Sequence, residues 1–132
     1  MTPSLVLDTG VLTLYFAGDP RVRSFLNEID EERAVGLVSE ANLAEYYYKT
    51  CRQLGKETAD IRYFMLRGSK LLVASDEQLT RLAALEKCRQ PLDLSLTDCF
   101  ALALAKREKA TLLTSDSELK RAKGVRVKLF TV

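Results

Sequence analysis

Residues 4–12 read SLVLDTGVL, a short apolar run followed by the turn residues Asp8 and Gly10 and then by the start of a helical pattern. Apolar runs of this kind alternate with helical patterns along the whole chain. The further runs are AVGLVS (34–39), KLLVA (70–74), ATLLTS (110–115) and VRVKLFTV (125–132). This alternation predicts an α/β fold: a three-layer α/β/α sandwich around a mostly parallel central sheet of four or five strands.

The predicted helices begin and end at recognisable capping residues. Asp19-Pro20 fits an N-cap followed by proline at the first helical position, Ser39 fits a second N-cap, and Gly55 is placed to end the helix that Ser39 begins. Residues 100–105 are apolar on nearly every face and predict a central, buried helix. The expected helices span residues 11–18, 20–29, 40–54, 56–68, 76–89, 96–109 and 116–122.

Length and composition are typical of one globular domain. The chain has 132 residues, 47% of them hydrophobic, and we expect a single domain over residues 1–132. No apolar run is long enough to span a membrane and the N-terminal residues lack the basic region of a signal peptide, so we expect a soluble, cytoplasmic protein. The three cysteines are widely spaced and are expected to be buried thiols rather than a disulfide frame.

The sequence contains no histidine, and this excludes several classes of catalytic site. Ser-His-Asp and Cys-His nucleophiles, histidine-based zinc sites and ribonucleases that use histidine as acid and base are all ruled out. The groups that remain for hydrolysis are carboxylates, hydroxyls, lysines and a bound metal ion.

Charge is distributed unevenly along the chain. Residues 1–86 carry 10 basic and 13 acidic side chains, whereas residues 87–132 carry 10 basic and 5 acidic ones. A basic flank beside an acidic site suits a polyanion whose phosphates also contact metal. Solvated helix faces are the simpler explanation for any one of these bases.

Four acidic residues lie where a predicted strand gives way to a helix or in the first turns of the helix that follows. In a parallel sheet these positions share the edge at the carboxyl ends of the strands, where ligands bind. Four carboxylates gathered there would repel one another unless a cation lay between them. Oxygen ligands without histidine or cysteine favour Mg²⁺ or Mn²⁺ over zinc, and such a site indicates phosphodiester chemistry. The four residues are Asp8, Glu45, Asp98 and Asp116.

Three of these acids also have an ordinary structural explanation. Asp8 is placed to cap a helix. Glu45 is placed to pair with Lys49 one turn later. Asp98 fits the last position of a capping box that Ser95 begins.

Asp116 differs, because Ser115 and Glu118 form a capping box of their own and would leave Asp116 free to face the crevice. Asp93 is assigned to a loop or to the outer shell of the site. Taken singly each acid is a weak signal, but the four together are a stronger one because they map to the same edge of one sheet.

Four segments, in this order, resemble PIN-domain nucleases, and especially the VapC toxins of type II toxin–antitoxin pairs, over essentially the whole chain. They are an opening strand that ends in aspartate, a helical glutamate after the second strand, an LSxxD helix start, and a strand that ends in T-x-D. The segments read VLDTGVL (6–12), SEANLAEYYY (39–48), LSLTDCFALALA (94–105) and LLTSDSEL (112–119).

The resemblance implies a Mg²⁺- or Mn²⁺-dependent endoribonuclease whose metal-binding and catalytic quartet is the four acids named above, with Thr114 as a supporting hydroxyl. We expect Asp8 and Asp98 to be direct ligands and the other two acids to bind directly or through water. The family often has asparagine or serine two residues after the first aspartate, where this chain has Gly10. Water attack on phosphorus would leave a 5′-phosphate and a 3′-hydroxyl.

The resemblance also implies a homodimer and a VapB-like antitoxin whose peptide covers the acidic groove. The aromatic residues 46–48 and 63–64 offer stacking surfaces for RNA, although packing in the core and in a dimer explains them more simply. Residues 46–54 and 61–68 are expected to form a self-complementary apolar patch.

Two other interpretations remain open on the sequence, and a third is disfavoured. One is a PIN nuclease of general RNA processing or decay without a toxin role, and another is a catalytically silent PIN-like scaffold that binds RNA or protein. A phosphatase of the haloacid dehalogenase type is disfavoured, because Gly10 occupies the position where that family needs a second acid.

Overall fold

The computed structural model describes residues 2–132, in which strands and helices alternate as the sequence predicts. The strands are β1 (Ser4–Leu7), β2 (Val35–Ser39), β3 (Leu72–Ala74), β4 (Thr111–Thr114) and β5 (Arg126–Leu129). The helices are α1 (Thr9–Phe16), α2 (Pro20–Asp30), α3 (Glu40–Leu54), α4 (Lys56–Arg67), α5 (Glu77–Arg89), α6 (Leu96–Glu108) and α7 (Ser117–Lys120). Helix α1 begins two residues earlier than expected, because its cap is Asp8.

All neighbouring strands are parallel, in the order β3-β2-β1-β4-β5. The predicted parallel sheet is therefore confirmed in its five-stranded form. Strand β1 lies at the centre, between β2 and β4. The strand order reverses there, and the carboxyl ends of strands at such a reversal are where α/β proteins bind ligands.

Side chains of β1 alternate between the two faces of the sheet, and each face packs on its own set of helices. Leu5 and Leu7 lie in one core with residues of α1, α2, α3 and α4. Val6 lies in a second core with residues of α5, α6 and α7. The predicted three-layer arrangement follows from this alternation.

Helix α6 is the central helix that its composition predicts, with Cys99 and residues 101–105 all buried. The cysteines agree only in part with expectation. All three are free thiols, but only Cys99 is buried, since Cys51 is half-buried and Cys88 is exposed on α5. The expectation of buried thiols is therefore wrong for Cys88.

The aromatic residues of α3 and α4 divide between the core and the surface. Tyr46 is buried and stacks on Phe16, with ring centroids 5.6 Å apart. Five apolar side chains of the same two helices are exposed and form what we call the α3–α4 patch. These are Tyr48, Leu54, Ile61, Phe64 and Met65.

None of the helices within residues 2–132 combines the length and the apolar character needed to cross a membrane.

Candidate active site

Two of the predicted site residues follow adjacent strands at the centre of the sheet. Asp8 comes directly after β1 and caps α1, where its side chain accepts a hydrogen bond from the backbone N–H of Val11 at 2.9 Å. Asp116 caps α7, two residues beyond the end of β4. Since β1 and β4 pair in parallel as far as Leu7 and Leu113, the two aspartates lie at the same edge of the sheet.

Thr114 joins these two aspartates. Its hydroxyl donates a hydrogen bond to the Asp8 carboxylate and accepts one from the backbone N–H of Asp116 at 2.9 Å. Thr114 is fully buried and Asp8 is only 3% exposed. The hydroxyl that the resemblance assigned a supporting role is thus placed between the two acids.

Asp98 and Glu45 are carried by the helices α6 and α3. Asp98 lies in the first turn of α6 and completes a capping box with Ser95, whose backbone N–H donates to the Asp98 carboxylate at 3.1 Å. The hydroxyl of Thr97 donates to Oε2 of Glu45 at 2.8 Å, and Lys49 Nζ lies 3.8 Å from the same oxygen. Thr97 therefore connects Glu45 to the helix turn that carries Asp98.

A buried hydrogen-bond network fixes the start of α3 against the start of α1. Asn42 Nδ2 donates to the hydroxyl of Thr9 at 3.1 Å, and the backbone N–H of Asn42 donates to the hydroxyl of Ser39 at 3.0 Å. All three residues are buried. Because Thr9 follows Asp8 and Asn42 lies one turn before Glu45, this network sets the separation of two of the acids.

The four carboxylates influence one another electrostatically. Burial is the largest cause that raises the pKa of Asp8 to about 6; repulsion from Asp98 and Asp116 adds to it, and hydrogen bonds to the carboxylate oppose it. Burial also raises the pKa of Asp98, and repulsion from Asp116 and Glu45 contributes to the same shift. The structure thus brings all four acids, predicted from separate segments, into one cluster.

This cluster has little positive charge of its own. Asp8, Asp98 and Asp116 form no ion pair with any lysine or arginine in residues 2–132, and Lys49 is the only basic partner of Glu45 there. The donors are the hard carboxylate oxygens that Mg²⁺ and Mn²⁺ prefer. The donor set and the uncompensated charge therefore fit a divalent cation.

The four carboxylates lie close together, but their side chains do not point toward one common metal position. Within residues 2–132, no group of three or more histidine, cysteine, aspartate or glutamate side chains is arranged to hold a metal ion. The carboxylates would have to rotate toward a common point to ligate one. Asp8 is the least free to do so, because both of its oxygens accept hydrogen bonds.

The capping assignments show where the sequence interpretation was right and where it was wrong. The structural explanations for Asp8, Glu45 and Asp98 are all confirmed, so these residues combine a local role with a place in the cluster. The assignment of Ser115 as a cap is wrong, because Asp116 itself caps α7 and accepts from the backbone N–H of Glu118 at 2.9 Å.

Two contributors to the site were missed in the sequence. Thr97 was not assigned to the site, although a hydroxyl beside the acid in LSLTD was a signal for contact with a neighbouring acid. Asn42 was not singled out at all, and no local pattern distinguishes it from a surface asparagine. Asp93 is exposed in the loop before α6, in agreement with its assignment outside the cluster.

Comparisons with known proteins agree with this architecture. The family model described as PIN domain matches residues 5–125. A comparison with curated protein sequences finds no significant match.

Solved structures with the same fold include toxins and toxin–antitoxin complexes. VapC20 of Mycobacterium tuberculosis, described as a toxin that cleaves the sarcin–ricin loop, has a TM-score of 0.72 at 19% identity, over 92% of this chain and 98% of that one. A chain of the VapBC2 complex of Rickettsia felis, bound to promoter DNA, has a TM-score of 0.77 at 18% identity, over 96% and 98%. A chain of DNA-bound VapBC from Salmonella typhimurium has a TM-score of 0.72 at 17% identity, over 96% and 97%.

Proposed function

The chain belongs to the PIN domain family, and from that premise we propose that it is a divalent-metal-dependent endoribonuclease that acts as the toxin of a VapBC-type toxin–antitoxin pair. The observation that carries the proposal is the cluster of four carboxylates at the switch point of the sheet, with Lys49 as the one base that forms an ion pair with it within residues 2–132. Burial and mutual repulsion of four ionised carboxylates lower the stability of the fold, and a bound cation relieves both effects.

We assign the roles of the four acids as follows. Asp8 and Asp98 are the direct ligands of Mg²⁺ or Mn²⁺, and Glu45 and Asp116 bind directly or through water. The chemistry that such an ion supplies when bound is Lewis acidity toward water and toward the phosphate oxygens. Hydrolysis then adds water across the P–O3′ bond and leaves a 5′-phosphate and a 3′-hydroxyl.

The remaining contacts hold these acids in place. Thr114 and the N-terminus of α1 hold both oxygens of Asp8, so that this ligand keeps its position and the other acids would rotate toward it. Glu45 is less constrained, since it contacts one hydroxyl and one flexible lysine. Glu45 is therefore the acid best suited to reorient and to hold the attacking water.

The substrate we propose is RNA in a single-stranded or looped form, in which a backbone phosphate is able to reach the edge of the sheet. The toxin role is supported by solved neighbours that are toxins or toxin–antitoxin complexes. The proposal therefore includes a VapB-like antitoxin as partner and action in the cytoplasm. The exposed α3–α4 patch supports a homodimer, because monomeric proteins rarely expose several large apolar side chains together.

RNA cleavage by the purified protein tests the proposal directly. Wild type is assayed with Mg²⁺, with Mn²⁺ and with excess EDTA, beside Asp98→Asn and the matched control Asp93→Asn, which removes the same charge from an exposed loop. We expect cleavage that needs metal and Asp98 but not Asp93. Cleavage that persists in EDTA or in Asp98→Asn would refute the assigned site.

The toxin role needs a separate test. We expect expression of the wild-type chain to arrest bacterial growth, Asp98→Asn to be harmless, and a small neighbouring gene for a DNA-binding protein to restore growth. A metal-dependent nuclease without growth arrest would favour the alternative role in RNA processing or decay. Binding of RNA without metal or cleavage would favour the silent scaffold.

A further inference from the structure

A second concave site lies on the flank of the molecule formed by α5, α6 and the segment after α7. It is a pocket of about 870 Å³. Its apolar lining includes Leu82, Leu85, Leu92 and Ala103. Its basic lining residues are Arg89, Lys106, Arg107, Arg121 and Lys123, against the single acid Glu86.

Two of these five bases have no acidic partner. Lys106 pairs with Glu86 at 2.7 Å, and Arg107 and Arg121 pair with acids beside them. Arg89 and Lys123 are exposed and form no ion pair within residues 2–132. The pocket therefore combines an apolar floor with two cations that are available to an anion.

The pocket is joined to the acidic cluster by two helices. Helix α6 carries Asp98 in its first turn and Lys106 eight residues later, about 12 Å along the helix axis at 1.5 Å per residue. Helix α7 is capped by Asp116 and is followed by Arg121 and Lys123. Both helices run from the carboxyl edge of the sheet toward its amino edge, so the pocket lies farther down this flank than the acidic cluster. A single strand that follows the two helices from the cluster leads to the pocket.

We propose that this pocket binds a nucleotide of the substrate RNA beyond those next to the cleaved phosphate, with its base against the apolar side chains and its phosphate near Arg89 and Lys123. The inference rests on the proposed nuclease function. Its physical basis is that a cluster of carboxylates repels RNA, so affinity for the phosphate backbone has to come from cations outside the cluster. Burial of a base face against apolar side chains reads no hydrogen-bonding edge of the base, so this contact tolerates any sequence.

Equilibrium binding in EDTA, where no cleavage occurs, tests this pocket. The probe is a short single-stranded RNA of mixed sequence, and the proteins are wild type, Arg89→Ala/Lys123→Ala and the matched control Arg52→Ala/Arg81→Ala. Arg52 and Arg81 are also exposed and outside the pocket. We expect the pocket variant alone to bind more weakly, with the slope of log affinity against log salt reduced by about 0.7 for each phosphate that it no longer binds.

The possible results separate this inference from the nuclease proposal. Equal binding by all three proteins, or equal weakening in both variants, would refute the pocket while leaving the nuclease assignment intact. Unchanged RNA binding together with abolished binding of a polyglutamate peptide would make the pocket a protein site and also refute the inference. Metal-independent cleavage by wild type would count against the active site instead.

Gly10, in the first turn of α1, lies against Ser115. A side chain at this position would place its Cβ in direct overlap with Ser115 Oγ and 3.6 Å from Asp8 Oδ1. The hydroxyl of Ser115 thus fills the space that a side chain at position 10 would otherwise occupy, and Asp8 borders the same space. The turn that follows β4 forms its hydrogen bonds through Thr114 and Asp116 instead.

The geometry points to Ser115 as an additional binding residue of the acidic site, contributing a neutral oxygen to the cation or to its water. Glycine is needed at position 10 because only a residue without Cβ lets this hydroxyl approach. The inference also rests on the proposed metal site, since the Ser115 hydroxyl forms no hydrogen bond within residues 2–132 and is otherwise without a role.

Moving the hydroxyl tests this assignment. Mn²⁺ affinity is measured by calorimetry for wild type, Ser115→Ala and the double variant Gly10→Ser/Ser115→Gly, with thermal unfolding as the check on folding. We expect Ser115→Ala to weaken Mn²⁺ binding about tenfold with no loss of stability, and the double variant to recover it. Unchanged Mn²⁺ affinity in Ser115→Ala would refute the role of Ser115, whereas absence of binding in wild type would refute the metal site itself.

Discussion

Replacing Asp8 with asparagine separates what the acidic cluster costs the fold from what it contributes to activity. Asparagine keeps the size of the side chain and an oxygen for the N–H of Val11, which now donates to Asp8 at 2.9 Å. It removes the negative charge at a position that is only 3% exposed. We therefore expect a more stable protein that no longer cleaves RNA.

The magnitude follows from the pKa of the buried carboxyl. Burial and neighbouring carboxylates raise the pKa of Asp8 from 3.8 to about 6, and a shift of roughly two units corresponds to about 3 kcal/mol. Asparagine loses the hydrogen bond from the Thr114 hydroxyl, and this loss cancels about 1 kcal/mol of the gain in the free energy of unfolding. The net gain at neutral pH is about 2 kcal/mol, or about 6 °C in Tm for a domain of this size.

The sign of the pH dependence follows from the same shift. Between about pH 4 and pH 6 the folded protein holds the Asp8 proton more tightly than the unfolded chain does, so wild-type stability falls as pH rises through this window. The asparagine variant lacks this titration. Its advantage is therefore largest above pH 6 and disappears below pH 4.

Urea unfolding in EDTA, measured from pH 4 to pH 8, is the appropriate assay. The control is Asp19→Asn, which alters the cap of α2. The hydrogen bond with Arg21 lowers the pKa of Asp19 to about 2, so removal of this charge should make the protein less stable at neutral pH. If Asp8→Asn is less stable than wild type at neutral pH, or if its advantage does not shrink as pH falls, ionised Asp8 is not strained by burial and the reasoning is wrong.

Three further expectations concern individual side chains. Thr114→Val leaves the buried Asp8 oxygen and the N–H of Asp116 without their partner; unfolding experiments should show a loss of about 1–3 kcal/mol, and unchanged stability would contradict the role of this hydroxyl. Thr97→Val removes the hydrogen bond to Glu45 and should lower the rate of RNA cleavage about 10- to 100-fold with Tm little changed. Cleavage rates and calorimetric Tm are compared with wild type, and an unchanged rate would contradict this role of Thr97. Phe64→Glu places a charge in the α3–α4 patch, at a residue that is 68% exposed. The variant should be a monomer in light scattering if wild type is a dimer, and an unchanged mass would place the dimer interface elsewhere.

The sequence alone was sufficient for the fold because local signals agreed with one another. Asp19-Pro20, Ser39 and Gly55 mark helix ends where the structure has them, and the alternation of strands and helices predicts a parallel sheet. The four acids were identified for a related reason: in a parallel sheet, position along the strand determines which edge a residue reaches. Neither inference depends on the direction of any side chain.

The tertiary structure decided the features that depend on distances between segments remote in sequence. Thr97 meets Glu45 across 52 positions, and Thr114 meets Asp8 across 106. The same is true of the approach of Ser115 to Gly10 and of the basic pocket, which three separate segments line. Sequence periodicity specifies which face of an element is buried, but not which other element that face packs against. The distances between side chains on different elements are set only when the elements pack together in the core.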